Sequence, residues 1–232
     1  MNALANLFRS TIGKKVLMAG TGTLMFVWLL IHTVGNMLVF VGQESFNHYA
    51  EFIQSGFGVE PGLLWLMRLV MLSAIAGHIW SAMALTQRNR AARPVAYAGG
   101  RKDRATSYAA KFMMLGGLVL LAFLAFHLAH LTVGVFSDDA IQSEAFVRHD
   151  PYRNLVVGLS NPVVALFYIV ANLALAAHLR HGVVSGMQTL GLNHPRYEST
   201  KKGLGLLLPL AIAGGNILIA TGVLLGIPAA PV

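Results

Sequence analysis

Four histidines, His32, His78, His127 and His178, each sit deep in a run of apolar residues, where an ionisable side chain is costly. Imidazole moves protons near neutral pH and ligates transition metals through an unprotonated ring nitrogen. The four are spaced as pairs: His127 follows His32 by 95 residues, and His178 follows His78 by 100. His130 and His181 stand three residues beyond His127 and His178, nearly one helical turn on and partly on the same face. His48, His149 and His194 lie among polar residues and are assigned no metal role. A lone histidine in an apolar run more often bonds a neighbouring helix or serves a proton or ion path than ligates a metal. What four do together depends on the elements that hold them.

Those elements are apolar spans. The 232 residues are 56% hydrophobic and 11% charged with a mean hydropathy of +0.63, far from the roughly 25% charged residues of soluble proteins. Val16 to Val41 gives 26 positions without Asp, Glu, Lys or Arg and with His32 alone inside. At 1.5 Å per residue, about 20 apolar residues cross a bilayer core of roughly 30 Å. Five such spans, about 16–41, 63–86, 112–136, 162–184 and 203–227, predict one all-α integral membrane domain over residues 1–232. The first run is nearly twice the length of a signal-peptide core and is expected to stay attached. Gly-Thr-Gly-Thr within it lacks the third glycine and the preceding strand of a dinucleotide fingerprint, and is assigned to close helix packing. Ser160-Asn161-Pro162 predicts a capped helix start, Pro209 a kink, and Asn216 a bond to a neighbouring helix. The absence of cysteine excludes disulfides, cysteine-held iron–sulfur clusters and covalently attached haem. A pI of about 10.1 does not imply nucleic acid, because the basic residues flank the spans.

Charge sets the orientation. With the N-terminus and the loops after spans two and four on one side, that side carries 14 Lys and Arg and two acids, and the other carries three basic residues and seven acids. The positive-inside rule places the N-terminus in the cytoplasm. His32 and His127 then each lie nine residues before the outer ends of their spans, while His78 and His178 lie eight and six before inner ends. Two layers of two histidines, separated by about 10 to 20 Å, match two haems each held by imidazoles from opposite sides in a bundle of the first four helices. His32 is paired with His127 in the outer layer and His78 with His178 in the inner. His130 and His181 remain alternatives, as ligands or as partners of haem propionates.

The segment Ile12 to Ile53, with His78-Ile-Trp-Ser-Ala-Met, Phe126-His127-Leu, His178-Leu-Arg-His181-Gly182 and Gly191, resembles the cytochrome b membrane-anchor subunit of succinate dehydrogenase and fumarate reductase. The resemblance is to the class with one five-helix anchor and two b haems, and it runs through nearly the whole chain. It implies that His32, His78, His127 and His178 are the iron ligands, and Gly182 favours His178 over His181. Some members that reduce fumarate with menaquinol carry a Glu two residues before the fourth ligand. Ala176 stands there in this chain, so a proton pathway of that kind is not carried over.

The resemblance also implies partners: a flavoprotein subunit that handles succinate, an iron–sulfur subunit that delivers electrons, and a quinone, menaquinone by expectation, that receives them through the two haems b. The resemblance further implies that the chain has no succinate chemistry of its own and that it is a multi-pass subunit in a bacterial-type cytoplasmic membrane, part of a respiratory chain and of the tricarboxylic acid cycle. Arg101, Lys102 and Arg104 are candidates for docking the iron–sulfur subunit. Glu44 and Glu51, in an acidic segment just beyond the outer pair, are candidates for protonating quinone. Two other readings are a cytochrome b anchor of the nitrate-reductase or formate-dehydrogenase type, and a haem-free transporter whose histidines relay protons. A cytochrome b of the bc-complex type fits less well, because no span carries two histidines one membrane layer apart.

Overall fold

The structure is a computed structural model that describes residues 8–55, 62–92, 113–135 and 146–228; Arg101, Lys102 and Arg104 lie outside them. The described residues are helical and contain no strand. Helix α1 (Thr11–Asn36) starts at Ser10, whose hydroxyl accepts from Gly13 N at 2.9 Å, and tightens into a 3-10 turn over Met37–Phe40. Helix α2 (Gln43–Gln54) lies in the acidic segment between the first two predicted spans, where no helix is expected from the sequence. Helix α3 (Gly62–Ala91) and helix α4 (Met113–Leu128) follow, and α4 widens into a π turn at Ala129–Val133. Gly134, at φ 75°, stops it; a side chain there would be strained and would run into the Phe146 ring.

Helix α5 (Pro151–Ser160) is capped by Asp150, which accepts from Arg153 N at 3.0 Å. Helix α6 (Pro162–Thr189) is capped as its sequence predicts, with Asn161 Oδ1 accepting from Val163 N at 2.9 Å and Val164 N at 3.4 Å. Helix α7 (Glu198–Leu224) contains Pro209.

Five helical stretches, Thr11–Phe40, Leu64–Ala91, Met113–Val133, Pro162–Thr189 and Pro195–Leu224, are long and apolar enough to cross a membrane. Large apolar side chains such as Leu69, Leu72, Leu118, Val163 and Leu207 are exposed on them, as expected where the solvent is lipid. The chain is a multi-pass membrane protein. α1 and α7 begin, and α3 and α6 end, five residues beyond the predicted spans, all at the end of the bundle where the chain starts. Arg88, near the end of α3, straps that end to the start of α1 by donating to Thr11 Oγ1 at 2.9 Å and Arg9 O at 2.5 Å. Lys14, buried beside it, lies 5.4 Å from the Trp80 ring centre.

α6 packs most extensively on α7, and α1 packs on α3, α6 and α7. The expected role of Asn216 is met by a chain of polar side chains through these helices. Thr33 Oγ1 donates to Asn216 Oδ1 at 3.1 Å, Asn216 Nδ2 to Asn172 Oδ1 at 3.0 Å, and Asn172 Nδ2 to Tyr168 O at 2.9 Å.

The opposite end is capped by α2 and α5. Asp150 accepts from Gln43 Nε2 at 2.7 Å and Asn47 Nδ2 at 2.8 Å, while Asn47 Oδ1 accepts from Tyr152 N at 3.0 Å. Phe46 and Tyr152 meet there, buried with Val39, Leu155, Leu159 and Ile219. Burial, with the Asp150 carboxylate adding to it, holds the Tyr152 phenol above its ordinary range and neutral.

Candidate functional site

The four histidines meet as two pairs. Near the capped end, the His32 ring on α1 and the His127 ring on α4 stand 5.9 Å apart between centroids at 89°. Toward the other end, His78 on α3 and His178 on α6 stand 6.3 Å apart at 58°. The pairs lie at different depths along α1. His78 Nδ1 donates to Met18 O at 3.1 Å, 14 residues before His32, which is about 21 Å of helix.

Each pair spans a gap between helices. Neither α1 with α4 nor α3 with α6 packs closely through the described backbone, although these are the helices that carry the paired rings. Glycines make part of the room. A Cβ on Gly22 of α1 would meet His78 Cε1 at 3.3 Å, and one on Gly117 of α4 would meet His178 Cε1 at 3.7 Å. Gly22 precedes His32 by ten residues, and Gly117 precedes His127 by ten. α1 and α4 therefore each give a ring to one pair and a bare stretch of backbone to the other.

The pairs fit haem iron. Two imidazoles on opposite sides of one iron put their centroids about 6 Å apart, each nitrogen lying about 2 Å from the metal and each ring centre roughly 1 Å further. Among the described residues no three His, Cys, Asp or Glu side chains are grouped to hold a metal ion, so a centre needing three protein ligands has no place there. His178 Nδ1 and Ser81 Oγ, one turn beyond His78, are buried without a hydrogen-bond partner among the described residues. Such atoms cost about 1–3 kcal/mol each. His32 stacks on Trp28 at 6.5 Å, and its Nε2 accepts from Asn36 Nδ2 at 3.1 Å, a bond within one helix that a side-chain rotation releases.

The neighbouring histidines are placed differently. His130, in the π turn, is fully buried against α5, where a Cβ on Gly158 would meet its Nε2 at 2.7 Å, and its Nδ1 lies 3.0 Å from the Tyr168 hydroxyl. The same hydroxyl lies 3.2 Å from His127 Nδ1. His181 makes no hydrogen bond or ring contact among those described. Neither the glycine partners nor Tyr168 was singled out from sequence; the ten-residue Gly-to-His interval in two spans is the signal that could have found the glycines.

Glu44 and Glu51 are exposed on α2 rather than in a loop. Glu44 lines an open groove of about 600 Å³ with Ser45, His48, Tyr49 and Phe52, while Glu51 lies on the same helix outside that lining. Tyr49 packs on α1 at Gly35, three residues after His32, where a Cβ would come within 2.6 Å of its hydroxyl. The groove thus abuts the wall that carries the first pair.

Compared with models of protein families, with curated proteins and with solved structures, the chain gave no match in any of the three.

Proposed function

We propose that the chain is the two-haem cytochrome b membrane anchor of a succinate:quinone oxidoreductase, with its N-terminus on the cytoplasmic side of a bacterial-type cytoplasmic membrane. The observation that supports this is the meeting of His32 with His127 and of His78 with His178 across two unpacked gaps at two depths. Haem b in each gap supplies a one-electron carrier, so the anchor can connect an iron–sulfur subunit at the basic end with quinone at the capped end.

The chain's own residues hold and orient. His78 is fixed by Met18 O, which leaves its Nε2 free as a ligand, and His127 Nδ1 lies 3.2 Å from the Tyr168 hydroxyl. Quinone occupies the groove on α2, with Glu44 donating a proton from its lining and Glu51 passing protons along the exposed face of the helix. Succinate chemistry belongs to the flavoprotein partner.

A reduced-minus-oxidised optical spectrum of the purified protein tests the reading. Two b-type components are expected, and their absence overturns it. Co-purification of a succinate-oxidising flavoprotein identifies the complex; a molybdenum-type partner in its place redirects the proposal to another respiratory anchor. Glu44→Gln is expected to slow quinone-linked turnover by roughly 10²-fold with both haem signals intact, and unchanged turnover removes Glu44 from the quinone site.

A further inference from the structure

Tyr168 stands between two histidines on another helix. Its hydroxyl lies 3.2 Å from His127 Nδ1 and 3.0 Å from His130 Nδ1. A phenol has one proton to give, so it cannot donate to both nitrogens. At least one Nδ1–H donates to the phenol oxygen, and the buried phenol proton is used only when the other Nδ1 accepts it. In one order, His127 donates to Tyr168, Tyr168 donates to His130, and His127 keeps a bare Nε2. In the reverse order the proton of His127 sits on Nε2, and that nitrogen cannot ligate a metal.

The surroundings hold this arrangement in place. His130 is fully buried and Tyr168 is 7% exposed. The imidazole of His130 is pressed against Gly158, where a Cβ would lie 2.7 Å from Nε2 and 2.8 Å from Cε1, so any side chain at 158 would displace it. Phe126 flanks His130 at 5.4 Å and Phe123 flanks Tyr168 at 5.1 Å between centroids, which leaves the three polar groups only one another. His130 Nε2 has no partner among the described residues, so the Tyr168 hydroxyl is the hydrogen-bond partner that holds this ring. The other pair is built differently: His78 has the carbonyl of Met18, and His178 Nδ1 has no partner among the described residues.

We infer that Tyr168 and His130 are positioning residues that fix the proton of His127 on Nδ1 and thereby set the reduction potential of the haem held by His32 and His127. The inference rests on the two-haem reading above. Donation from Nδ1–H makes an axial imidazole a stronger base and favours ferric iron, and a phenol that itself donates onward is a better acceptor. Tyr168 therefore lowers the potential of this haem, and His130 strengthens the effect through Tyr168.

The test is a spectroscopic redox titration of the purified protein carrying Tyr168→Phe, His130→Leu or His130→Gln, with His32→Ala identifying which haem is which. Tyr168→Phe is expected to raise the potential of the His32/His127 haem by about a tenfold shift in its one-electron equilibrium, about 59 mV, and to leave the other haem unchanged. His130→Leu shifts it the same way by less, and His130→Gln, whose amide oxygen can accept from Tyr168, returns it toward the unaltered protein. An unchanged potential in Tyr168→Phe, or equal shifts of both haems, overturns the inference while the two-haem reading stands. If Tyr168→Phe fails to retain haem, the His130 variants decide: a difference between Leu and Gln supports the inference and equality overturns it. Absence of b-type signals from the unaltered protein overturns the two-haem reading itself, and the inference with it.

Discussion

At the scale of single residues, the pairing of rings makes a sharp expectation. On the proposed two-haem reading, His32→Ala and His127→Ala are expected to remove one and the same haem from the difference spectrum, and His78→Ala and His178→Ala the other. Loss of different components by His32→Ala and His127→Ala would break the pairing. The glycines opposite the rings grade the expectation further. Gly22→Leu drives a branched side chain into His78, whose Cε1 is already 3.3 Å from a bare Cβ, and is expected to abolish the component that His78→Ala abolishes. Gly117→Ala is tolerated, because its Cβ meets His178 at an ordinary 3.7 Å. The histidines were legible in the sequence because an ionisable group in an uncharged run stands out by type. Their glycine partners were not, since what faces a ring is decided by a second helix, and the helical period of one span carries no record of another.

At the scale of elements, apolar length marks where a bilayer can be crossed but not where helical hydrogen bonding stops. Four helices accordingly run five residues past their apolar spans at the basic end, about 7.5 Å each, in segments where Lys, Arg, Gln and Ser keep good or tolerable helix propensity. α2 escaped the sequence reading for the opposite reason. Its twelve residues, Gln43–Gln54, are amphipathic and too few to be helical alone. Contacts made about a hundred residues away decide their state, with Phe46 against Tyr152 and Asn47 bonded both to Asp150 and to Tyr152 N. Asn47→Ala leaves Tyr152 N without its side-chain acceptor and removes one donor from Asp150, and is expected to destabilise the capped end by about 1–3 kcal/mol. A lowered midpoint of thermal unfolding in detergent reads this out. Exposed Glu51→Gln provides the control, expected within about 0.5 kcal/mol of the unaltered protein, and equal midpoints for the two variants would show that Asn47 does not tie α2 to α5.

At the scale of the whole molecule, the two ends of the bundle differ in charge as the two sides of a membrane require. Among the described residues, the end where the chain starts carries Arg9, Lys14, Lys15, Arg88, Arg90, Arg180, Arg196, Lys201 and Lys202 with Glu198 as its acid, and Glu198 is held by Lys201 at 3.0 Å and Lys202 at 3.5 Å. The capped end carries Glu44, Glu51 and Asp150 beside Arg68, Arg148 and Arg153. In the proposed orientation the basic end stays in the cytoplasm, because moving cations across is costly, and the α2 groove and the His32/His127 pair lie toward the outer face. Because the chain has no cysteine, a single introduced thiol reports sidedness without background. Ser55→Cys, exposed at the end of α2, is expected to react with a membrane-impermeant maleimide added to intact cells, and Asn193→Cys, exposed between α6 and α7, only after the membrane is opened. The reverse pattern would invert the bundle, place His78 and His178 in the outer layer, and move the proposed quinone groove to the side from which electrons were to enter.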